Sequence, residues 1–124
     1  MKKEFILYLE EMQPTQPYVD SELIHHRDKE NIENQSSIEV KIIDGELVLI
    51  KGHEKVYLAM LKNQKQIEVC WSQDIDDVSY YKHCVEYCQS KGIHTVLDLN
   101  KHCYESDVCK ELQLDMNEKY EMKR

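Results

Sequence analysis

The stretch Lys51-Gly52-His53-Glu54-Lys55 has the residue types and order that could do chemistry. An apolar run, Leu47-Val48-Leu49-Ile50, gives way at Gly52 to a helical pattern that starts at once. The first N–H groups of a helix have no partner within it, and the aligned peptide dipoles place about half a positive charge there. A glycine at the entry lets an oxyanion approach the backbone, so this turn is expected to bind an anion such as phosphate. Lys51, His53 and Lys55 would supply positive charge or donors. Lys55 falls in the first helical turn and faces the positive end of the dipole, a conflict that a bound phosphate removes. The plainer reading is two solvated lysines and a glycine that only turns the chain.

Two other groupings carry reactive side chains. Cys84, Cys88, Cys103 and Cys109, with His83 and His102 beside them, offer thiols and imidazoles of the kind that hold zinc. Structural zinc sites usually place two residues between their cysteines, which are then three apart. Cys84 and Cys88 instead lie four apart on an apolar helical stripe with Tyr81 and Val85, which reads as core packing of small hydrophobes. His25 and His26 are adjacent and point two ways, which does not make a ligand pair. Glu22 is the acid proposed as a general base, and its plain reading is a charge at a helix start. No Ser-His-Asp signature, Walker loop or dinucleotide fingerprint is present.

The Gly52 turn needs elements on either side to hold it. Glu4 to Leu9 reads as a strand or the start of a short helix, and Pro14 and Pro17 impose an extended link. Asp20 or Ser21 caps a helix carrying Leu23 and Ile24, with Arg27-Asp28-Lys29-Glu30 on its polar face. Asn34 to Ser37 is a polar loop. Ile38, Val40 and Ile42 then alternate with charged residues as a half-buried strand. Asp44-Gly45 predicts a tight hairpin turn into Leu47–Ile50, an inner strand. His53 to Asn63 reads as a mostly buried helix, and Ile67, Val69 and Trp71 as another strand. Should the strands flanking that helix be parallel, the crossover would be right-handed.

From Ser72 the character changes to helix. Asp74 to Gln89 carries Val78, Tyr81, Cys84, Val85 and Cys88 on one stripe and stops at Gly92. Thr95 caps a short helix with Val96, Leu97 and Leu99. A last helix from about Glu105 carries Val108, Leu112 and Met116 and frays beyond Lys119.

The 124 residues suit one domain, with no repeat and a core that needs no staples. The longest apolar stretch, Val56 to Leu61, is far below the roughly 18 residues that span a bilayer. No export signal is read at the start of the chain, so a cytoplasmic protein is expected. The net charge of −8 divides evenly, −4 on each side of Trp71, and no segment is basic. Nucleic-acid binding rests on neutralising phosphates, so this distribution argues against it. Five cysteines, an odd number, read as free thiols of a reducing compartment.

The run DGELVLIKGHEKVYLAML, followed by QIEVCW, resembles the core of the ParB/sulfiredoxin superfamily, and the likeness covers residues 1–71. The resemblance implies that Gly52 and the N–H groups of His53 and Glu54 cradle a nucleotide phosphate, with Lys55 replacing the usual Arg. Sulfiredoxin-like enzymes carry a catalytic Cys immediately before the motif His, whereas Gly52 stands here, so sulfiredoxin activity is not expected. Partition proteins that bind CTP have Glu and consecutive Arg where this chain has His53-Glu54-Lys55. Relatives resembling free-serine kinases have an Asp where Lys51 stands. A helix-turn-helix over Val85–Cys103, the usual continuation of a DNA-binding ParB, would place Asp98 in its reading helix.

The sequence therefore predicts an α/β (α+β) fold, with a ParB-like core over 1–71 and a helical extension over 72–124 packed on the same domain. Its expected activity is binding a phosphate-bearing ligand, a nucleotide foremost, at Lys51, Gly52, His53, Glu54 and Lys55, with Mg²⁺ accompanying the nucleotide. Nucleotide hydrolysis or phosphotransfer would be the enzymatic forms. The alternative is a protein-interaction or regulatory module, with a protein partner or a second copy, whose motif is a relic.

Overall fold

The computed structural model describes residues 3–29, 37–73 and 78–123. The expected polar loop up to Ser36, the polar face at the end of the first helix, His26 and the helix start at Asp74 lie outside what is described, the side chains of 26–29 included.

The fold is α+β, as expected. Strand β1 (Glu4–Tyr8) runs into a 3-10 turn at Leu9–Glu11, followed by two short strands, β2 (Gln13–Pro14) and β3 (Val19–Asp20), and by helix α1 (Ser21–Lys29). Strands β4 (Glu39–Ile43) and β5 (Glu46–Lys51), helix α2 (His53–Leu61) and strand β6 (Gln66–Trp71) form the middle of the chain. Helix α3 (Val78–Ser90), a 3-10 helix at Val96–Lys101, strand β7 (Cys103–Tyr104) and helix α4 (Ser106–Lys123) complete it. The main sheet has five strands in the order β1-β6-β4-β5-β2, and β3 pairs with β7 in a small second sheet.

The β4–β5 hairpin turns at Asp44 (φ 52°) and Gly45 (φ 80°), both left-handed, with Ile43 opposite Glu46. That is the two-residue turn whose twist suits adjacent strands. β5 is an inner strand with both faces covered. Leu49, with Val40 and Val69, packs against Val56, Tyr57 and Leu58 of α2. Val48 and Ile50, with Ile43, meet Tyr81 and Val85 of α3 on the other face. Ile42, expected to point inward with Val40, is instead 58% exposed, while Ile43 next to the turn is buried on the opposite face with Val48 and Ile50. Pro14 fits β2 because that strand forms a sheet edge, where a missing N–H goes unnoticed.

The conditional right-handed crossover does not apply to the strands flanking α2. β4 pairs antiparallel with β5 and parallel with β6, so β5 and β6 run in opposite directions. The C-terminal half differs from expectation in two further respects. On α4 the buried positions are Cys109 and Met116, while Val108 faces out at 39% exposure. That helix also runs on to Lys123 instead of fraying at Lys119.

The link from Met12 to Asp20 joins the halves. Met12 O accepts from Val96 N at 3.0 Å, and Gln13 Nε2 donates to Ile93 O at 3.0 Å. Val19 N donates to His102 O at 2.9 Å, and Tyr18 Oη donates to Gln113 of α4 at 3.0 Å. The main core accordingly mixes Leu9, Met12, Val40 and Leu49 with Cys88, Ile93, Val96 and Leu99.

Candidate functional site

Gly52 enters α2 with φ 99° and ψ 25°, a left-handed conformation, and no side chain among the described residues caps the turn. A Cβ there would lie 3.0 Å from Ile38 Cγ1 and 3.2 Å from Ile38 Cα. The glycine is thus required twice, by its dihedral and by the backbone pressed against it. The helix begins immediately, with Val56 N donating to Gly52 O at 2.9 Å.

The motif side chains divide between two directions. His53, 3% exposed, accepts at Nε2 from Thr15 N (3.1 Å) and Gln16 N (3.2 Å). Burial drives its pKa down to about 3, so the ring is neutral. Glu54 is also buried, and its Oε2 accepts from Gln16 Nε2 at 2.7 Å and Asp20 N at 3.3 Å. This corrects the expectation for His53, whose ring supplies neither charge nor a donor to a ligand at Nε2. Both side chains fasten the 15–20 link over the start of α2, where the dipole also favours a carboxylate.

Lys51 is exposed at the end of β5. Lys55, half-buried, lines an open cleft of about 860 Å³ together with Ser37, Ile38, Gln64, Lys65 and Gln66. Glu4, Tyr8 and Glu68, from the face of β1 and β6, complete the same cleft. The Glu68 carboxyl is held above its ordinary pKa by a hydrogen bond with Glu4 and by the like charge of that neighbour. No spacing in the sequence reveals this second wall, because only the antiparallel β1–β6 pairing brings Glu4 and Glu68 together.

The other candidates are placed elsewhere. Glu22 is exposed in the first turn of α1, where its own N–H donates to Asp20 Oδ1 at 3.0 Å, and it does not line the cleft. It is therefore a charge at a helix start. Asp20 is the cap of that helix, and its carboxylate also accepts from Ser106 Oγ at 2.8 and 2.9 Å.

The four cysteines weighed for zinc are not gathered. Cys88 belongs to the main core and Cys84 to a separate cluster with Tyr87 and Met116. Cys103 is half-buried, and Cys109 Sγ is directed at Val19 O and Tyr104 O. Burial pushes the Cys109 thiol up to about 12 and the Cys88 thiol higher still, away from the thiolate that binds metal. Among the described residues no three His, Cys, Asp or Glu side chains converge as metal ligands. His83, noted only beside the cysteines, is buried against α4 with Nε2 2.7 Å from Met116 O, while its Nδ1 has no partner among the described residues. The helix-turn-helix alternative lacks its second helix, since Val96–Lys101 is a six-residue 3-10 helix.

No helix among the described residues is long and apolar enough to cross a membrane. No protein-family model matches the chain, and no curated protein matches it. Among solved structures it is similar to the protein Atu1540 from Agrobacterium tumefaciens, with a TM-score of 0.52 at 17% identity. The likeness covers 78% of this chain but only 61% of that protein's length, and at this identity it concerns the fold alone.

Proposed function

We propose that the chain is a ParB/sulfiredoxin-like domain that binds a phosphate-bearing ligand, a nucleotide foremost, where the start of α2 meets the Lys55 cleft. The observation that carries the reading is Lys55. It sits in the first turn of an α2 that no side chain among the described residues caps, and it lines a cleft large enough for a nucleotide. Lys65, Gln64, Gln66 and Ser37 in the same cleft supply cationic and neutral donors for phosphate and sugar oxygens. Of the motif residues Lys55 alone lines the cleft, so the phosphate would be held there by Lys55, while Lys51, Gly52, His53 and Glu54 lie outside the lining. His53 and Glu54 act one step back, by holding the 15–20 link in place.

Magnesium accompanying the nucleotide fits this cleft. Glu4 and Glu68 are hard oxygen donors that line the same cleft, and Mg²⁺ is commonly held by one or two carboxylates plus phosphate and water. A cation would neutralise the pair and raise phosphate affinity. Glu22 does not line the cleft, and binding rather than turnover is the activity proposed. The five free cysteines suit a reducing, cytoplasmic setting.

A regulatory interaction module is the second reading, favoured by the commitment of His53 and Glu54 to the protein's own link. Thermal melts with CTP, ATP, ADP and pyrophosphate, with and without Mg²⁺, decide between the two. A ligand at 100 times its Kd should stabilise the wild type by about 2.7 kcal/mol, and Lys55→Ala should remove most of that gain. If no ligand raises the melting temperature, the interaction module takes its place.

A further inference from the structure

Strand β1 closes one edge of the main sheet, and its backbone is only partly used. Leu9 N donates to Lys65 O at 3.0 Å, so Leu9, Leu7 and Phe5 direct their N–H and C=O groups at β6 and its approach. By the alternation of an antiparallel ladder, Tyr8, Ile6 and Glu4 direct theirs away from the sheet. The outward N–H of Tyr8 is already taken by Glu11 Oε2 at 2.8 Å, which leaves Ile6 and Glu4 as the outward donors. Ile6 is 59% exposed and Tyr8 50%, although Phe5 and Leu7 pack inward on the core. An exposed apolar edge strand is a template for another strand, and natural proteins usually blunt one with charge or proline.

We infer that β1 pairs antiparallel with β1 of a second copy about a two-fold axis at Ile6. This would join two five-stranded sheets into one. Several features select a copy of this chain as the occupant. The two-fold register sets Ile6 against Ile6, while Glu4 falls opposite Tyr8 and meets no like charge. The same register brings Lys3 of each chain beside the Glu10-Glu11 turn of the other, an attraction made twice by symmetry. Ile6 can then exchange both its N–H and C=O with its counterpart, Glu4 N–H can donate to the Tyr8 carbonyl, and the Tyr8 N–H passes from Glu11 Oε2 to the Glu4 carbonyl of the second copy, which frees Glu11 to meet Lys3.

The pairing reaches the cleft. Glu4 and Tyr8 both line it, so each cleft would gain the partner's Tyr8 beside its own Glu4 and become continuous with its twin. The net charge of −8 on each chain opposes association, and added salt screens that repulsion.

Sedimentation velocity from about 10 µM to about 1 mM protein, at low and moderate salt, tests the inference in a range suited to a small interface. The wild type should dimerise as concentration rises, more readily with salt. Ile6→Lys and Ile6→Glu should each weaken self-association at least tenfold, and their mixture should restore it by setting opposite charges on the axis. Hydrogen exchange needs no variant: the Glu4 and Ile6 amides should become protected with concentration while the rest of β1 stays unchanged. A wild type that remains a monomer, a dimer insensitive to both substitutions, or edge amides that never gain protection each overturns the proposal, including where a foreign peptide occupies the edge instead.

Discussion

Two adjacent residues show how differently a motif position can be used. Gly52 is a steric requirement, since any side chain there meets both a left-handed φ and the Ile38 backbone. Gly52→Ala is expected to cost on the order of 2–4 kcal/mol in urea unfolding, the combined effect of strain and overpacking. Gly45→Ala, with nothing within 4 Å of the added carbon, should cost about 1–2 kcal/mol, from the dihedral alone. His53 is an acceptor held neutral by burial. Between its ordinary value of 6.5 and about 3, the unfolded chain binds a proton that the folded chain refuses. Stability therefore falls as the pH drops through that window, by on the order of a few kcal/mol over its whole width. His53→Gln keeps an acceptor but does not titrate. Urea midpoints across that pH range should fall less steeply for the variant than for the wild type, and parallel curves would refute the assignment.

At the scale of elements, local chemistry and packing make separable contributions. The Val96–Lys101 helix is closed by a reciprocal cap, in which Thr95 Oγ1 accepts from Leu97 N at 3.2 Å and Asp98 Oδ2 accepts from Thr95 N at 3.1 Å. The N–H groups of His94 and Thr95 hold the Asp98 carboxyl below its ordinary pKa. Thr95→Ala should cost about 1 kcal/mol, as lost caps generally do. Helix α4 depends instead on burial, with Met116 at 1% exposure against Cys84 and Tyr87 of α3. Met116→Ala should cost about 2–5 kcal/mol by leaving a cavity between the two helices. Calorimetry on the two variants distinguishes these scales, and a Met116 effect no larger than that of Thr95 would mean that α4 is weakly docked.

For the molecule as a whole, the link at 12–20 ties the two halves of the chain together. One side of it holds the motif helix through His53 and Glu54, and the other holds the C-terminal half through Val96, Ile93, His102 and Gln113. A chain ended at Trp71 would lose Cys88, Ile93, Val96 and Leu99 from the main core and α3 from the far face of β5. It should show no cooperative thermal transition. A sharp melt of that shortened chain would establish the first 71 residues as a unit that folds alone.

Much of this architecture was legible along the chain because the signals are local. Asp44-Gly45 needs only its own dihedrals to make a hairpin, Thr95 needs only the N–H groups that follow it to cap a turn, and the apolar body of α2 announces its burial by its own pattern. The cleft could not be read in the same way, since Glu4 and Glu68 are distant in sequence and meet only through strand pairing. Nor could the fate of the motif side chains. A histidine beside a glycine turn serves a ligand or the protein's own backbone according to what faces it, and here Thr15 and Gln16 do. Dihedral preference and periodicity act over a few residues and are written in the sequence. Which side chains share a wall depends on contacts between distant segments, and only the packed chain decides them.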